Sequence, residues 1–405
     1  MRIAFISYEF PPDTGKGGIG TYVIQIATAL ASINWDVHVF AATHLHQDYF
    51  IETNKIKVHR IAANNPQQFV VNVLEPFKKQ HKIMPFSVIE SAEIHGNAFA
   101  IKNEIPALPL IVRLHAPNYL VEKLKKKYIP FIIKLRFFAG ALKQGKWDVG
   151  FWRHYNYLQD ADYQFVQLAN RITAPSAVMK NWAIKNWKLP AKNIAVIPNI
   201  FVPNNAFLQI PVANTPYKKI VFFGRLNVLK GLVNATKAIK KILAIHTSWQ
   251  FLVIGDDGLG PNGKQSLKQW MMDELHPYNN RVIFKSGMQY NQLAIAIANT
   301  DIVVLPSLFE SFSYTCIEAM AAGKAVVASK HTAMADLITH NKNGLLVDAN
   351  SVSSIYKAID HLICNHTILH NISTAAKNTV SNNYAAAAIE ASIKYYQQFS
   401  ACAKN

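Results

Sequence analysis

The sequence predicts an α/β protein made of two doubly wound, Rossmann-like domains facing a central cleft. Three observations carry that reading. The chain has 405 residues, and at ~150 residues per domain that length divides into two or three cores. Short β-rich runs alternate with helical segments in two successive rounds, the pattern of parallel βαβ units. Between the rounds lies 200–216, where Pro203, Pro211, Pro216 and several Asn suit a connector better than an element interior. The predicted organisation is a domain over 1–199, a linker over 200–216, a domain over 217–381, and a terminal helix over 382–405 that can pack back on the N-terminal domain.

In the first round, RIAFISY (2–8) reads as a buried strand, Glu9 to Gly20 as a glycine-rich loop, Thr21 to Ser32 as an apolar helix and WDVHVFAA (35–42) as the next strand. Strand-like runs follow at 56–62, 86–91, 108–116, 171–176 and 193–199, with a helix over Ala177 to Trp187. The second round has strand-like runs at 217–224, 249–255, 281–287, 301–306, 324–329 and 344–349. Its helices read as Leu232–Ile245, Ser266–Glu274, Asn291–Ala298 and Ser311–Ala322. Val352 to Ala401 reads as helix broken near Asn382-Asn383. In such sheets, ligands bind beyond the carboxyl ends of the strands.

Half the residues are hydrophobic and 16% are charged, a composition that excludes wholesale disorder. No uninterrupted apolar run reaches about 18 residues; Pro130 to Leu142 is broken by Lys134 and Arg136. The opening apolar run is too short for a secretory signal, so a cytoplasmic protein is expected. Cys316, Cys364 and Cys402 show no paired spacing, so neither a disulfide framework nor a zinc site is indicated and no metal is expected. The net charge of +18 points to polyanionic surroundings: nucleic acid, anionic lipid or phosphorylated substrates.

Gly15, Gly17 and Gly20 formally fit G-x-G-x-x-G. A dinucleotide fingerprint would start directly after the strand and find an acid at the end of the next one, and neither condition holds here. Gly17, Gly18 and Gly20 instead suit close approach of helix N-terminal amides to a phosphate or oxyanion, or else a turn needing positive φ. The segment FESFSYTCIEAMAAG is the strongest signal. Glu310 follows a buried-type strand, and Glu318 is expected about two turns into the next helix, roughly 10 Å along its axis. That span suits a sugar nucleotide, with one carboxylate at the sugar and the other at ribose, and the amides of Phe312, Ser313 and Tyr314 aimed at the diphosphate. The blander alternative is helix-terminal charge at Glu310 and a solvated face at Glu318. Arg225 and Lys230, just past the strand ending in Gly224, can chelate two phosphates or be ordinary loop charge. His115 ends the run LPLIVRLH at the mouth of the first sheet, where a histidine is either structural or functional.

These residues resemble the GT-B glycosyltransferases of the retaining family 4 type. The similarity runs through FPPDTGKGGIGTYV, FSVIES, His115, ITAPSAVMKNW, IAVIPN, GRLNVLKG, the acidic pair and NGLLV. The resemblance implies a nucleotide-sugar-binding C-terminal domain, an acceptor-binding N-terminal domain, and sugar transfer without a cofactor or an obligatory metal. It further implies that Arg225 and Lys230 hold the donor diphosphate, Glu318 binds ribose and Glu310 contacts the transferred sugar. Gly17 and Gly18 would approach phosphate and acceptor, with His115 beside the donor sugar. The implied mechanism is retention by front-face displacement, with positive groups stabilising charge on the departing diphosphate. The chain departs from the pattern at Thr332-Ala333, at Asp336 and at Ile200 after IPN.

The implied function is transfer to a glycan or lipid-linked acceptor in cell-surface polysaccharide, lipopolysaccharide or glycolipid synthesis. A nucleotide-sugar epimerase of the same fold and a non-catalytic nucleotide-sugar or membrane-binding protein are the alternatives. Tyr119 to Trp147 carries Lys123, Lys125, Lys126, Lys127, Lys134, Arg136, Lys143 and Lys146 against the acid Glu122, interleaved with apolar residues. This segment reads either as a peripheral contact with anionic lipid on the acceptor side or as a solvated basic helix. Nucleic acid is not an expected partner, because no binding module is recognisable.

Overall fold

The computed structural model describes the chain apart from Lys16, Pro130, 146–154, Asn262, 382–383 and 400–405. Lys146, Trp147, the Asn382-Asn383 break and Cys402 therefore lie outside the described residues. In chain order the elements are β1 (Arg2–Ser7), α1 (Gly18–Ser32), β2 (Asp36–Thr43), β3 (Tyr49–Thr53), β4 (Ile56–Ala62), α2 (Pro66–Asn72), α3 (Leu74–Ile83), β5 (Val88–Ala92), α4 (Phe99–Glu104), β6 (Leu110–Arg113), α5 (Asn118–Lys125), α6 (Phe131–Lys143), α7 (Ala161–Gln167), β7 (Arg171–Ala174), α8 (Ala177–Trp187), β8 (Ile194–Val196) and α9 (Asn205–Leu208). They continue with β9 (Lys219–Phe223), α10 (Leu232–Ile245), β10 (Gln250–Ile254), α11 (Leu267–Glu274), β11 (Val282–Lys285), α12 (Tyr290–Ala298), β12 (Ile302–Leu305), α13 (Tyr314–Ala321), β13 (Ala325–Ser329), β14 (Leu345–Val347), α14 (Val352–Cys364), α15 (His366–Ser381) and α16 (Tyr384–Gln397).

The first compact unit comprises Met1–Tyr119, Asn156–Val202 and the chain from Tyr384 on. Its sheet has the order β3-β4-β2-β1-β5-β6-β7-β8, parallel except for β3, which runs antiparallel to β4 at the edge. The central strands are continuous runs of buried residues, as strands covered on both faces must be. α16 and the residue Phe399 just past it belong to this unit's core: Ala388, Tyr396 and Phe399 pack with Phe5, Tyr22 and Ile26.

The second unit comprises Leu120–Tyr155 and Pro203–Asn383. Its sheet is parallel throughout, in the order β11-β10-β9-β12-β13-β14. Phe222, Phe251, Val304 and Val327 meet Ile239, Ile242, Ile359 and Leu362 of the covering helices in one apolar cluster. In both sheets the strand order reverses beside the first strand of the unit, between β1 and β5 and between β9 and β12. Those reversals open the crevice in which doubly wound sheets take ligands.

Several boundaries differ from the sequence reading, each for a local reason. The stretch 200–216 is built into both cores: Ile200 and Phe201 are buried on the first unit's side of the division, and Phe207 of α9 is buried on the second's. Apolar residues between the prolines outweigh the connector-like composition. Leu120–Tyr155 groups with the second unit, where the Lys127 ammonium donates to the Asn350 side chain. α1 starts at Gly18, three residues early, because Gly17 takes the extended N-cap conformation. α13 starts three residues late because the Ser313 hydroxyl caps it. The C-terminal helical stretch breaks at Asn365, whose side-chain amide donates back to the His361 carbonyl at 2.8 Å.

Candidate functional site

The loops after β9 and β12 carry Arg225, Lys230 and Glu310 in the second unit. Gly224, at φ 138°, turns the chain out of β9, and Arg225 follows with an exposed side chain. The Asn227 carboxamide accepts the Lys230 N–H at 3.1 Å and shapes the single turn Val228–Lys230. Gly231 adopts φ 69° with its α-carbon against β12's exit: a β-carbon there would stand 1.7 Å from the Pro306 carbonyl oxygen. That close approach lets the Leu308 N–H donate to the Leu229 carbonyl at 2.8 Å, tying the two loops together. The Lys230 ammonium then reaches Glu310 Oε2 at 2.6 Å, and the Glu310 carbonyl accepts the Ala333 N–H at 2.9 Å.

Ser313 is the N-cap of α13, its hydroxyl accepting the Cys316 N–H at 3.2 Å. Phe312 and Tyr314 meet edge to face with ring centroids 5.0 Å apart, and no acidic side chain occupies the helix's first turn. The N-terminal end of a helix attracts anions. Because the helix begins at Tyr314, Glu318 lies one turn in rather than two. It is buried, which excludes the solvated-face alternative, and it shares a hydrogen bond with Tyr290 of α12. Burial raises the Glu318 carboxyl to about 7, with the Tyr290 hydroxyl pulling it back. Burial and the Glu318 charge push the Tyr290 phenol to about 12. Cys316 is buried in the same helix, and burial pushes its thiol to about 12, as an inert core thiol requires.

Of the predicted residues in this unit, Lys230 and Glu310 are directly bonded and Ser313 caps the helix that carries Glu318. Arg225 makes no ion pair among the described residues. Thr332, one of the departures, caps the turn Ala333–Asp336 with its side chain at the Met334 N–H.

In the first unit the glycine loop is pinned by buried polar groups. Arg60 of β4 donates to the carbonyls of Phe10 and Pro11, both at 2.6 Å, and the Thr14 hydroxyl donates to the Tyr8 carbonyl at 2.7 Å. Gly15 (φ 66°) folds against Glu9, and Gly20 faces Pro11 where a β-carbon would come within 2.9 Å. Gly15 and Gly20 therefore serve the turn and its packing. Gly17 is the N-cap of α1 with no capping side chain, and Gly18 is the first helical residue. The φ of Gly17 is −96°, so the positive-φ alternative applies to Gly15 alone among these glycines.

His115 lies two residues beyond the end of β6 and is only 7% exposed. Burial, with the Arg113 guanidinium, lowers its imidazole to about 3, so the ring is neutral at physiological pH. The imidazole lies past the carboxyl end of β6 and is enclosed there, edge-on to Tyr22 at 5.4 Å, and borders a cavity of about 10 Å³ lined also by Ser7, Ile19, Glu90 and Arg113.

Sequence reasoning missed the groups that set this arrangement. Both carboxylate oxygens of Glu93 accept the His115 N–H at 2.9 Å, and burial raises that carboxyl to about 8. Asp162 accepts the Asn118 N–H at 2.8 Å and fixes the other end of the same loop. Glu90 accepts from Tyr22 at 2.6 Å and from Tyr396 of α16 at 2.5 Å; burial raises its carboxyl, while Arg113 and the two hydroxyls lower it. The available signal was an acid at a fully buried position within an apolar strand, VIESA, which cannot be left unpaired.

Two doubly wound units with polar loops gathered at the strand-order reversals define the class: the fold is that of the GT-B glycosyltransferases. The chain belongs to the family 4 type. The family model described as Glycosyltransferase Family 4 matches residues 16–203, and that described as Glycosyl transferases group 1 matches residues 204–379. The lipopolysaccharide 1,2-N-acetylglucosaminetransferase of Salmonella typhimurium is 26% identical over 225 residues, which cover 53% of this chain and 58% of that protein. The chain thus matches little more than half of that relative's length. Sucrose-phosphate synthase from Thermosynechococcus elongatus has a TM-score of 0.72 at 20% identity over 99% of both chains. Anabaena HepE, solved in complex with UDP-glucose, has a TM-score of 0.68 at 19% identity over 98% of this chain and 99% of that one.

Proposed function

We propose that the protein is a retaining, metal-independent hexosyltransferase that moves a sugar from a nucleotide-sugar donor to a glycan or lipid-linked acceptor in cell-surface polysaccharide or glycolipid synthesis. The observation that carries this reading is the Lys230–Glu310 pair, 2.6 Å apart, at the β9/β12 reversal beside the first turn of α13. An ammonium has three N–H donors, so Lys230 can keep Glu310 and still face a phosphate oxygen. Arg225 supplies a second cation for the diphosphate. In this reading Glu310 orients the sugar, Glu318 receives the ribose hydroxyls and the amides near Phe312, Ser313 and Tyr314 complete the donor site. Gly17 and Gly18 approach phosphate and acceptor, and His115 lies beside the donor sugar. Catalysis comes from positive groups held ready for the charge that accumulates on the departing diphosphate. The complex of the similar HepE protein with UDP-glucose supports a nucleotide-sugar donor.

A peripheral place on the cytoplasmic face of a membrane belongs to the same proposal. No described helix is long and apolar enough to cross a membrane. α6 has no buried residue; Phe131, Ile132 and Phe137 are 67%, 63% and 60% exposed, on a helix that also carries Lys134, Arg136 and Lys143. Such a face suits an anionic lipid surface. Cosedimentation with vesicles containing phosphatidylglycerol, strong at low salt and reduced at physiological salt, is the expected result. Failure to bind at either salt concentration refutes the membrane placement while leaving the transferase reading intact.

The functional test begins with a thermal-shift screen against nucleotide sugars, followed by transfer assays with the donor that binds. Loss of transfer in Lys230→Ala and Glu318→Ala, with circular dichroism unchanged, is expected; undiminished turnover refutes the site. Product formed without any acceptor would identify an epimerase. Donor binding with neither transfer nor slow hydrolysis would identify a non-catalytic binding protein.

A further inference from the structure

The second unit carries a cluster that sugar transfer does not use. His246 directly follows α10, and Asp360 and Cys364 stand four residues apart on α14, hence on one face of that helix. His246 Nε2 lies 2.7 Å from Asp360 Oδ1, and the imidazole nitrogen, carboxylate oxygen and Cys364 sulfur all fall within 4.8 Å of one another. His246 and Asp360 are partly buried, whereas Cys364 is exposed, so the cluster is open to solvent on one side.

Its surroundings hold it in place. The Arg281 guanidinium donates to the carbonyls of Leu243 at 2.7 Å, His246 at 3.2 Å and Thr247 at 3.1 Å, clamping the turn that carries the imidazole. Tyr356, one turn before Asp360, has its phenol raised by desolvation and by that same carboxylate, so the hydroxyl lies close enough to give the kind of outer support that orients a metal-binding carboxylate. Cys364 closes α14, so the negative end of a helix dipole faces the cluster and favours a cation.

We propose that His246, Asp360 and Cys364 form a zinc-binding site. An imidazole, a carboxylate and a thiolate are each zinc ligands, and three of them with a water complete a tetrahedron. Metal–ligand lengths of about 2.0–2.3 Å place the donor atoms roughly 3.5 Å apart, within reach of side-chain rotation from the observed spacing. The site lies in the connection entering β10, at the end of the parallel sheet opposite the loops after β9 and β12. An ion there staples α10 to α14 and touches no donor-binding group, so the inference stands whether or not the proposed sugar transfer is correct.

The test uses the full chain freed of metal with EDTA. Titration with Zn²⁺ against a chromophoric chelator is expected to give one tight site per chain, with a raised melting temperature. Co²⁺ in its place is expected to give a near-ultraviolet thiolate-to-metal band. Cys364→Ser changes an exposed side chain, so it should fold; it is expected to weaken Zn²⁺ by about tenfold or more and to abolish the band. His246→Ala should weaken Zn²⁺ as well. Zinc binding by Cys364→Ser equal to that of the unaltered protein, or no stoichiometric binding by the unaltered protein, overturns the assignment.

Discussion

The loops that follow β9 and β12 and those that follow β5 and β6 all lie at the carboxyl ends of strands in two sheets of the same type, yet they are built on opposite electrostatic plans. Beyond β9, charged side chains stand at or near solvent: Arg225 is exposed, and Lys230 meets Glu310 with both side chains still partly accessible. Beyond β5 and β6, the charges are withdrawn from water. Glu93 is fully buried with its carboxyl raised to about 8, and His115 is enclosed and neutral. The first arrangement offers charge to something arriving from solution; the second spends polar groups on fixing the main chain. A cation at the rim is consequential because of what it meets, whereas a buried acid is consequential because of what it would leave unpaired if removed.

That contrast predicts different failures. The largest effect belongs to the rim: Lys230→Ala should lower kcat for transfer by about 10²-fold or more without changing the urea midpoint much, because the lost pair is partly solvated. A large stability loss with normal turnover would reverse the contrast. On the buried side, Glu93→Ala leaves the His115 N–H without its acceptor and should cost about 1–3 kcal/mol of folding stability, read from urea denaturation. Glu93→Gln, which keeps an acceptor, should recover most of it; equal losses in both variants would show that the His115 contact is not the source.

Protonation sharpens the comparison further. The Glu93 carboxyl titrates near 8 in the folded chain against 4.5 for an ordinary glutamate. Between those values the folded state holds a proton that the unfolded state has released. Its contribution therefore lowers stability as pH rises from about 4.5 to 8 and changes little beyond. Urea midpoints measured across that window should fall more steeply for the unaltered protein than for Glu93→Gln, and parallel slopes would contradict the assignment. Glu318, raised to about 7 by burial, should lose its proton when ribose hydroxyls donate to it. Donor affinity should then rise with pH through 7, and Glu318→Gln should flatten the profile. The smallest effect expected is that of Tyr396→Phe, which removes one hydrogen bond to Glu90 and should cost about 0.5–1.5 kcal/mol, measured by the same urea titrations.

How much of this could be read in the sequence follows from the same division. Apolar strands buried on both faces announce themselves by composition, so the parallel strands fall close to their expected positions, and helices such as α8 and α10 match residue for residue. β3 was invisible because an edge strand with exposed side chains has no apolar period to detect. In the second unit, Lys230, Glu310 and Glu318 stood out because acids and lysines beside glycines and strand ends follow a local pattern. Glu90, Glu93, Asp162 and Tyr396 were not recognisable as a set, since each partner lies tens or hundreds of residues away. Tyr396 reaches Glu90 across 306 positions, and no spacing rule connects them.

That last contact bears on how the molecule comes to exist. α16 supplies Tyr396 and Ala388 to the core of the first unit, yet it is translated only after the whole of the second unit has been made. The N-terminal sheet must emerge from the ribosome with Glu90 lacking its second phenol and part of α1 uncovered, and wait in that unfinished condition while more than 180 intervening residues are polymerised. A fragment ending at Val202 would remain at that stage, so dissecting the protein into independently expressed halves requires that α16 be returned to the first half, covalently or in trans.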